Sequence, residues 1–384
     1  MATWIRLSIA GAATLLVGMG LGRFSFSPLI PALIYQGWDN EIEAGSAGSA
    51  NFVGYLAGAI TAPALRKRWG EIGTLKICLF STLIALVSSA LPWGFFWIMF
   101  WRAVAGAAVG VIMIYALSIT TRFAPTGKLG LATSITYTGV GVGIFMAGTL
   151  VPTLLSFSIA SAWIGIVLVG ILASMVAGWG WSALPENKNK NDLLQKHPSL
   201  EWNWNAIAVI TARAMFSLGL IPHTIYWVDY IVRGLGNSNS FGGFHWAIFG
   251  LGAIVGTYLW GRLADRIGLH HALPLAFSLV ATGIALPVIT SAEWALILSS
   301  LLVGAQPGLT AILSGRVHQM MGSEKMPVVW RASALISTIV QAVGGFIYVA
   351  LFASTGSYTP VFLAGATFMS IGAIIAWMMR DRDQ

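Results

Sequence analysis

Twelve apolar stretches divide this chain, separated by short breaks that carry its charges, glycines and prolines. Each stretch is long enough to cross a bilayer as a helix of about 20 residues. Their centres fall near Gly20, Leu56, Ile84, Gly106, Val142, Val167, Phe216, Ile254, Val280, Gly304, Val340 and Gly365. Backbone in hydrocarbon must satisfy its own polar groups, so stretches of this kind become helices. Charged residues make up 9% of the 384, against roughly a quarter in soluble domains, which is too few to keep a globule in water. The expected fold is therefore an all-α integral membrane protein with twelve transmembrane helices.

The formal charge of +8 would suit nucleic acid if the basic residues formed a patch. They sit instead in short clusters between apolar stretches, the pattern that sets membrane topology. With the N-terminus in the cytoplasm, the inside receives Arg6, the cluster Arg66-Lys67-Arg68, Lys76, Arg122, Lys128 and the lysines of the central break. It also receives Arg262, Arg266, Arg316, Lys325, Arg331, Arg380 and Arg382, while the outside receives essentially Arg233 alone. The first outer loop is acidic, with Asp39, Glu41 and Glu43. Both termini are thus expected in the cytoplasm and the protein in the cytoplasmic (inner) membrane. Trp38, Trp93, Trp181, Trp202, Trp294 and Trp377 fall near span ends, where the indole ring favours the headgroup level. The apolar run after Arg6 continues past a normal leader cleavage region and is read as an uncleaved first span. Cys78 is the single cysteine, which excludes an internal disulfide and a cysteine-based metal site. No metal, cofactor or nucleic-acid partner is expected, and the chain is expected to act as a monomer.

The longest polar stretch, about residues 184–203, holds Glu186, Lys188, Lys190, Asp192, Lys196, His197 and Glu201. It splits the chain into a first six-helix bundle (1–183), a cytoplasmic linker (184–203) and a second bundle (204–384). The halves repeat. Gly54, Gly58, Gly70, Gly106 and Gly110 each recur 198 residues later, as Gly252, Gly256, Gly268, Gly304 and Gly308. Close helix packing explains a glycine, but not a shared register across three helices. Parallel repeats about an axis along the membrane normal are a transporter architecture.

The break after the eighth stretch reads Gly261-Arg-Leu-Ala-Asp265-Arg266-Ile-Gly268, then His270-His271. It resembles the signature loop of the major facilitator superfamily, which runs Gly, three residues, Asp, Arg, one residue, Gly, then basic residues. The resemblance implies close helix approach at Gly261, an Asp265 facing the positive end of a helix from the other half, and a tight turn at Gly268. The symmetric break, Pro63-Ala-Leu-Arg66-Lys67-Arg68-Trp69-Gly70, has Lys67 at the acidic position. Either Lys67 pairs with Glu324, just before Pro327, or both are solvated charges.

The fourth stretch carries Arg102-Ala-Val-Ala-Gly106-Ala-Ala-Val-Gly110, similar to the family's arginine-glycine pattern there. In proton-coupled members the equivalent arginine is tied to coupling. The fifth resembles the glycine-rich antiporter signature through Gly130, Gly139, Gly143 and Gly148. Ile144 replaces its proline and Ala147 a glycine. Three further stretches look like the YbfB/YjiJ branch: Gly18-Met-Gly20-Leu-Gly22-Arg23-Phe24 with Pro28 and Pro31, Ser49-Ala50-Asn51-Phe-Val-Gly54-Tyr55-Leu56, and Pro222-His223-Thr224-Ile-Tyr226-Trp227-Val-Asp229. The resemblance covers essentially the whole chain. It implies two pseudo-symmetric six-helix bundles and an inner-membrane transporter, and it implies no substrate.

Ionisable groups inside spans are costly and are functional candidates by default. Here they are Arg23, Arg102, Arg213, His223 and Asp229, with Arg316 and His318 at the margin. A cavity holding Arg23 and Arg102 would favour an anion such as a carboxylate, unless backbone carbonyls satisfy one of them. Asp229 shares a helix face with Arg233, four residues on. It is either an ion pair at the outer end or a proton acceptor, with His223 deeper on the same helix. Tyr226 joins these as a substrate or coupling candidate. Pro28, Pro222 and Gln306-Pro307 interrupt helices, where freed backbone groups need protein or a cavity beside them.

No nucleophile elbow, His-Glu-x-x-His or phosphate loop is present in the sequence, so an enzyme is not expected. A channel would want rings of like groups from several subunits, and a sensor an appended output domain. The expectation is a secondary active transporter that moves a small solute by alternating access, driven by protons. Export by antiport is favoured by the fifth-stretch glycines. Uptake of a small organic anion is favoured by the two arginines.

Overall fold

The structure, a computed structural model, describes residues 1–184 and 200–379. Most of the expected linker, with Arg380 and Arg382, lies outside the described residues. Among those residues eleven helices are long and apolar enough to cross a membrane. They are α1 (Thr3–Tyr35), α2 (Glu41–Ser88), α3 (Phe95–Arg122), α4 (Leu129–Leu155), α5 (Ile159–Trp181), α6 (Trp204–Gly234), α7 (Asn239–Ile267), α8 (Leu269–Ile289), α9 (Glu293–Gly322), α10 (Glu324–Thr355) and α11 (Tyr358–Trp377).

The count of eleven differs from the expected twelve at one junction. α2 has 48 residues, which is about 70 Å of helix at 1.5 Å per residue. That is more than twice the hydrocarbon thickness of about 30 Å. Gly70 breaks it, with φ 70° and ψ 176°, a conformation glycine adopts without steric cost. The second and third expected spans are therefore two helices that meet directly at Gly70. Gly268, the partner of Gly70 in the sequence repeat, turns the chain between α7 and α8 with φ 78° and ψ 154°. The repeat in sequence is thus a repeat in backbone geometry.

The other repeated glycines mark helix crossings. A Cβ on Gly54 would sit 1.9 Å from the Ala103 carbonyl oxygen, and one on Gly106 would sit 2.0 Å from that of Asn51. α2 and α3 therefore touch backbone to backbone. α7 and α9 cross the same way: a Cβ on Gly252 would lie 2.6 Å from Leu301 O, and one on Gly304 would lie 2.2 Å from Phe249 O. Between the halves of the chain α4 meets α7, where a Cβ on Gly148 would lie 2.4 Å from the Ala247 nitrogen. Large apolar side chains such as Phe80, Phe96, Leu172 and Ile374 are exposed on the outside of the bundle, as lipid-facing positions should be.

The two ends of the bundle differ. One carries Glu41, Arg233 and Tyr358 and is called here the acidic end. Polar links between the halves gather toward it. Arg233 Nη2 meets Glu41 Oε1 at 2.5 Å, Trp246 Nε1 donates to Phe24 O at 3.1 Å, and Ser27 Oγ donates to Thr224 O. At the opposite, basic end Lys67, Gly70, Gly261, Asp265, Arg266 and Gly268 are all exposed.

Candidate functional site

The first helix of each half loses regular α geometry midway. α1 is π-helical over Leu16–Arg23 and re-forms after a 3-10 turn at Ser27–Leu29. α6 is π-helical over Pro222–Tyr226 and again over Tyr230–Gly234. Such wide turns free backbone groups, and Pro28 and Pro222 remove donors at the same places.

Arg102 takes up the groups that α1 frees. Its Nη1 donates to Gly22 O at 2.7 Å and its Nη2 to Arg23 O at 3.0 Å. Its guanidinium lies 4.5 Å from the ring centre of Phe26. These bonds follow the backbone reading of this arginine, with only Nε left unpartnered.

Arg23 is different. It is 9% exposed, yet it donates no hydrogen bond among the described residues, and its Nε is buried without a partner. The guanidinium is held 4.6 Å from the ring of Phe52, 5.4 Å from Phe24 and 5.9 Å from Tyr55. A desolvated cation–π contact is worth about 2 kcal/mol, against a cost of several kcal/mol for a buried ion. The rings hold the charge in place and leave its hydrogen-bonding capacity unspent.

Arg23 and Arg102 line a narrow pocket, with room for about one water molecule, together with Asn51 and Phe52 of α2 and Thr224 and Ile225 of α6, so both halves of the chain contribute to its wall. Asn51 Nδ2 donates to Arg102 O at 3.0 Å, while its Oδ1 is buried and unpartnered. The pocket thus offers cationic donors and one acceptor. Asn51 stood out in the sequence only as part of a motif. Its signal was a side-chain amide in an apolar helix, one turn from Gly54.

The remaining candidates lie elsewhere. Asp229 is 2% exposed. Its Oδ2 accepts from Tyr358 Oη at 2.6 Å and from Arg233 Nη1 at 3.5 Å, and its Oδ1 is buried without a partner. Through Arg233 this group reaches Glu41, forming a chain of charges across the halves at the acidic end. Tyr226 stacks at 5.5 Å on Phe352, with its buried hydroxyl unpartnered beside Gly45 of α2. His223 is packed into the second half, 4.5 Å from the ring of Trp227, with Nε2 at 2.8 Å from Ser299 Oγ. Ser299 gives its one proton to Gly283 O, so His223 must be the donor, through Nε2.

At the basic end the acid missing at Lys67 reappears four residues on. Glu71 binds Arg66 at 3.0 Å and Arg122 at 2.5 Å. Among the described residues no ion pair joins Lys67 to Glu324. The fifth-stretch glycines now divide. A Cβ on Gly139 would lie 1.9 Å from Ala12 O and one on Gly143 would lie 2.7 Å from Gly20 Cα, whereas Gly130 has open space.

Comparisons with known proteins agree with this architecture. The family model described as "Uncharacterised MFS-type transporter YbfB" matches residues 15–377. A Haemophilus influenzae protein named for metabolite transport is 26% identical over 356 residues, 85% of each chain. The 3-(3-hydroxy-phenyl)propionate transporter of Escherichia coli is 26% identical over 245 residues, 59% of this chain and 57% of that one. The crystal structure of a bacterial homologue of the human lysosomal transporter Spinster, inward-facing and occupied, matches with a TM-score of 0.69. It covers 98% of this chain and 96% of that one at 15% identity, a likeness of fold.

Proposed function

The chain belongs to the YbfB-type family of major facilitator transporters, and from that premise we propose that it carries a small organic anion across the cytoplasmic membrane by alternating access, with Arg23 as the anion's principal contact. One observation supports this above the others: a buried guanidinium with no hydrogen-bond partner stands in a pocket walled by both halves. The similarity to a carrier named for an aromatic carboxylate favours the same solute class.

The bundles are residues 1–183 and 204–384, rocking about this pocket. The basic end faces the cytoplasm by the distribution of Lys and Arg, so the linked acidic end is the outer gate. Asp229 is the proton site. Protonation removes the carboxylate charge that holds Arg233 Nη1 and Tyr358 Oη on α6 and α11, which frees Arg233 from its anchor and loosens that gate. Anion and proton then move inward together. The glycines of α4 that favoured export are accounted for by close packing at Gly139, Gly143 and Gly148, which carries no direction.

Purified protein in liposomes tests this reading. Uptake of an organic anion should accelerate when the outside is made acidic and vanish in Arg23→Gln. Asp229→Asn should retain anion exchange and lose the response to the pH gradient. Transport of anions undiminished in Arg23→Gln would remove the proposed site.

A further inference from the structure

Three consecutive carbonyls at the break in α1 accept from side chains. Arg102, in the same half, takes those of Gly22 and Arg23. The third, Phe24 O, accepts from Trp246 Nε1 of α7, in the other half, at 3.1 Å. Trp246 is fully buried. Its indole lies 4.9 Å from the ring of Phe249 and 6.2 Å from that of Phe24. Phe24 follows Arg23 in the chain, and its ring lies 5.4 Å from the Arg23 guanidinium. One residue thus separates a donor of the second half from the unpaired charge of the first. A further bond joins the two broken helices directly, from Ser27 Oγ to Thr224 O. Phe24, Ser27 and Thr224 line the same pocket as Arg23.

The break in α6 is met differently. The residue 198 positions before Trp246 is Gly48 of α2. A Cβ there would lie 3.4 Å from Cδ1 of Ile225, inside the π-helical turn Pro222–Tyr226. The repeat therefore sets α2 against the break in α6 as it sets α7 against the break in α1. One position carries glycine and the other an indole donor. A tryptophan is not what such a helix crossing requires in itself, and here it serves the helix that bears Arg23.

We infer that Trp246 is a positioning residue for the anion. Through Phe24 O it fixes the backbone from which Arg23 projects, so the anion contact is set when the acidic end closes and loosened when that end opens. Halves that rock apart there part Trp246 from Phe24, and the carbonyl loses its donor. An anion that binds the set geometry favours the closed end in return. The inference rests on the reading of Arg23 as the anion's contact and adds the residue that ties this contact to the other half.

Two substitutions divide the indole. Trp246→Phe keeps a ring and removes the donor, and Trp246→His keeps the five-membered ring with its N–H. The full chain in liposomes is assayed for uptake of acetate, butyrate, benzoate and succinate. For the acid taken up fastest, Trp246→Phe should raise KM by about two- to tenfold, the worth of one hydrogen bond. Its Vmax should stay within about twofold of the parent, the pattern of weakened binding and not of lost fold. Trp246→His should return KM toward the parent. Thermal midpoints check folding, and Trp246→Tyr takes the place of the phenylalanine variant should that one not fold. An unchanged KM in Trp246→Phe, or a KM raised as much in Trp246→His, overturns the inference. The anion reading then still stands if Arg23→Gln abolishes uptake. Uptake undiminished in Arg23→Gln, or no uptake of any of the four acids by the wild type, overturns both.

Discussion

Arg102 binds Arg23 by its backbone: the guanidinium of one donates to the carbonyl of the other at 3.0 Å. Two like charges are thereby fixed near one pocket, one spent on carbonyls of α1 and the other with no hydrogen bond among the described residues. Arg102 is in this view a positioning residue. Lysine has the charge but not the planar fork that reaches Gly22 and Arg23 together. Arg102→Lys should cost about 1–3 kcal/mol, the penalty for a buried acceptor left unpaired, and Arg102→Ala somewhat more. The thermal midpoint in detergent reads this directly. An Arg102→Lys protein with unchanged stability but weakened anion binding would instead make Arg102 a direct ligand contact.

Glycines of the two signature regions should behave oppositely. In Gly139→Ala the new methyl would meet Ala12 O at 1.9 Å, and in Gly54→Ala it would meet Ala103 O at 1.9 Å. Both atoms are backbone, so whole helices must move apart, at a cost of about 1–3 kcal/mol or more. Gly130 and Gly261 have nothing within 4 Å and lie in helices at ordinary φ. Alanine there should be neutral or stabilise by about 0.5–1 kcal/mol. Thermal midpoints of the four variants decide between packing and any other use of these positions.

The same contrast shows what could be read in advance. A glycine whose Cβ would strike backbone, or whose φ is positive, admits no substitute, so its register survives in the sequence. Gly54 with Gly252 and Gly70 with Gly268 revealed the repeat for that reason. Arg23 and Arg102 could not be ranked in that way. Both are arginines in apolar helices at similar inferred depth. What separates them is the π-helical run Leu16–Arg23, which frees carbonyls for Arg102, and no residue type specifies such a run. Glu71, adjacent to Gly70, was legible as a charge but not as the partner of Arg66 and Arg122.

The link between Glu41 and Arg233 should set how readily the acidic end opens. Arg233 is 18% exposed at its side chain and Glu41 43%, so the pair is partly screened and worth at most about 1 kcal/mol. Glu41→Gln should therefore raise the population open at this end by about two- to fivefold, without loss of folding. Spin labels at Ile42 and Ser240, one on each half, would report it as growth of a longer distance. An unchanged distance distribution would mean that the apolar contacts around Tyr226 and Phe352 hold this end by themselves.

Asp39 should make stability depend on pH. It lies in the turn between α1 and α2, outside both helices, 4% exposed, with both carboxylate oxygens buried and unpartnered. Burial, with Glu43 nearby, pushes its carboxyl up to about 7. Glu43 cannot swing away, because it accepts from the Asn40 backbone at 2.9 Å in a capping box. A raised value means that the folded chain favours the protonated acid. Its contribution is complete below the ordinary carboxylate value near 4 and is lost as pH rises through about 7. The thermal midpoint should fall between pH 5 and pH 8, and Asp39→Asn, which keeps the shape without the ionisation, should flatten that fall. The variant should match the parent at the acidic limit and exceed it at the alkaline one. An equal fall in both proteins would assign the dependence to another group, and a variant less stable than the parent at the alkaline limit would mean that the ionised carboxylate has a partner there.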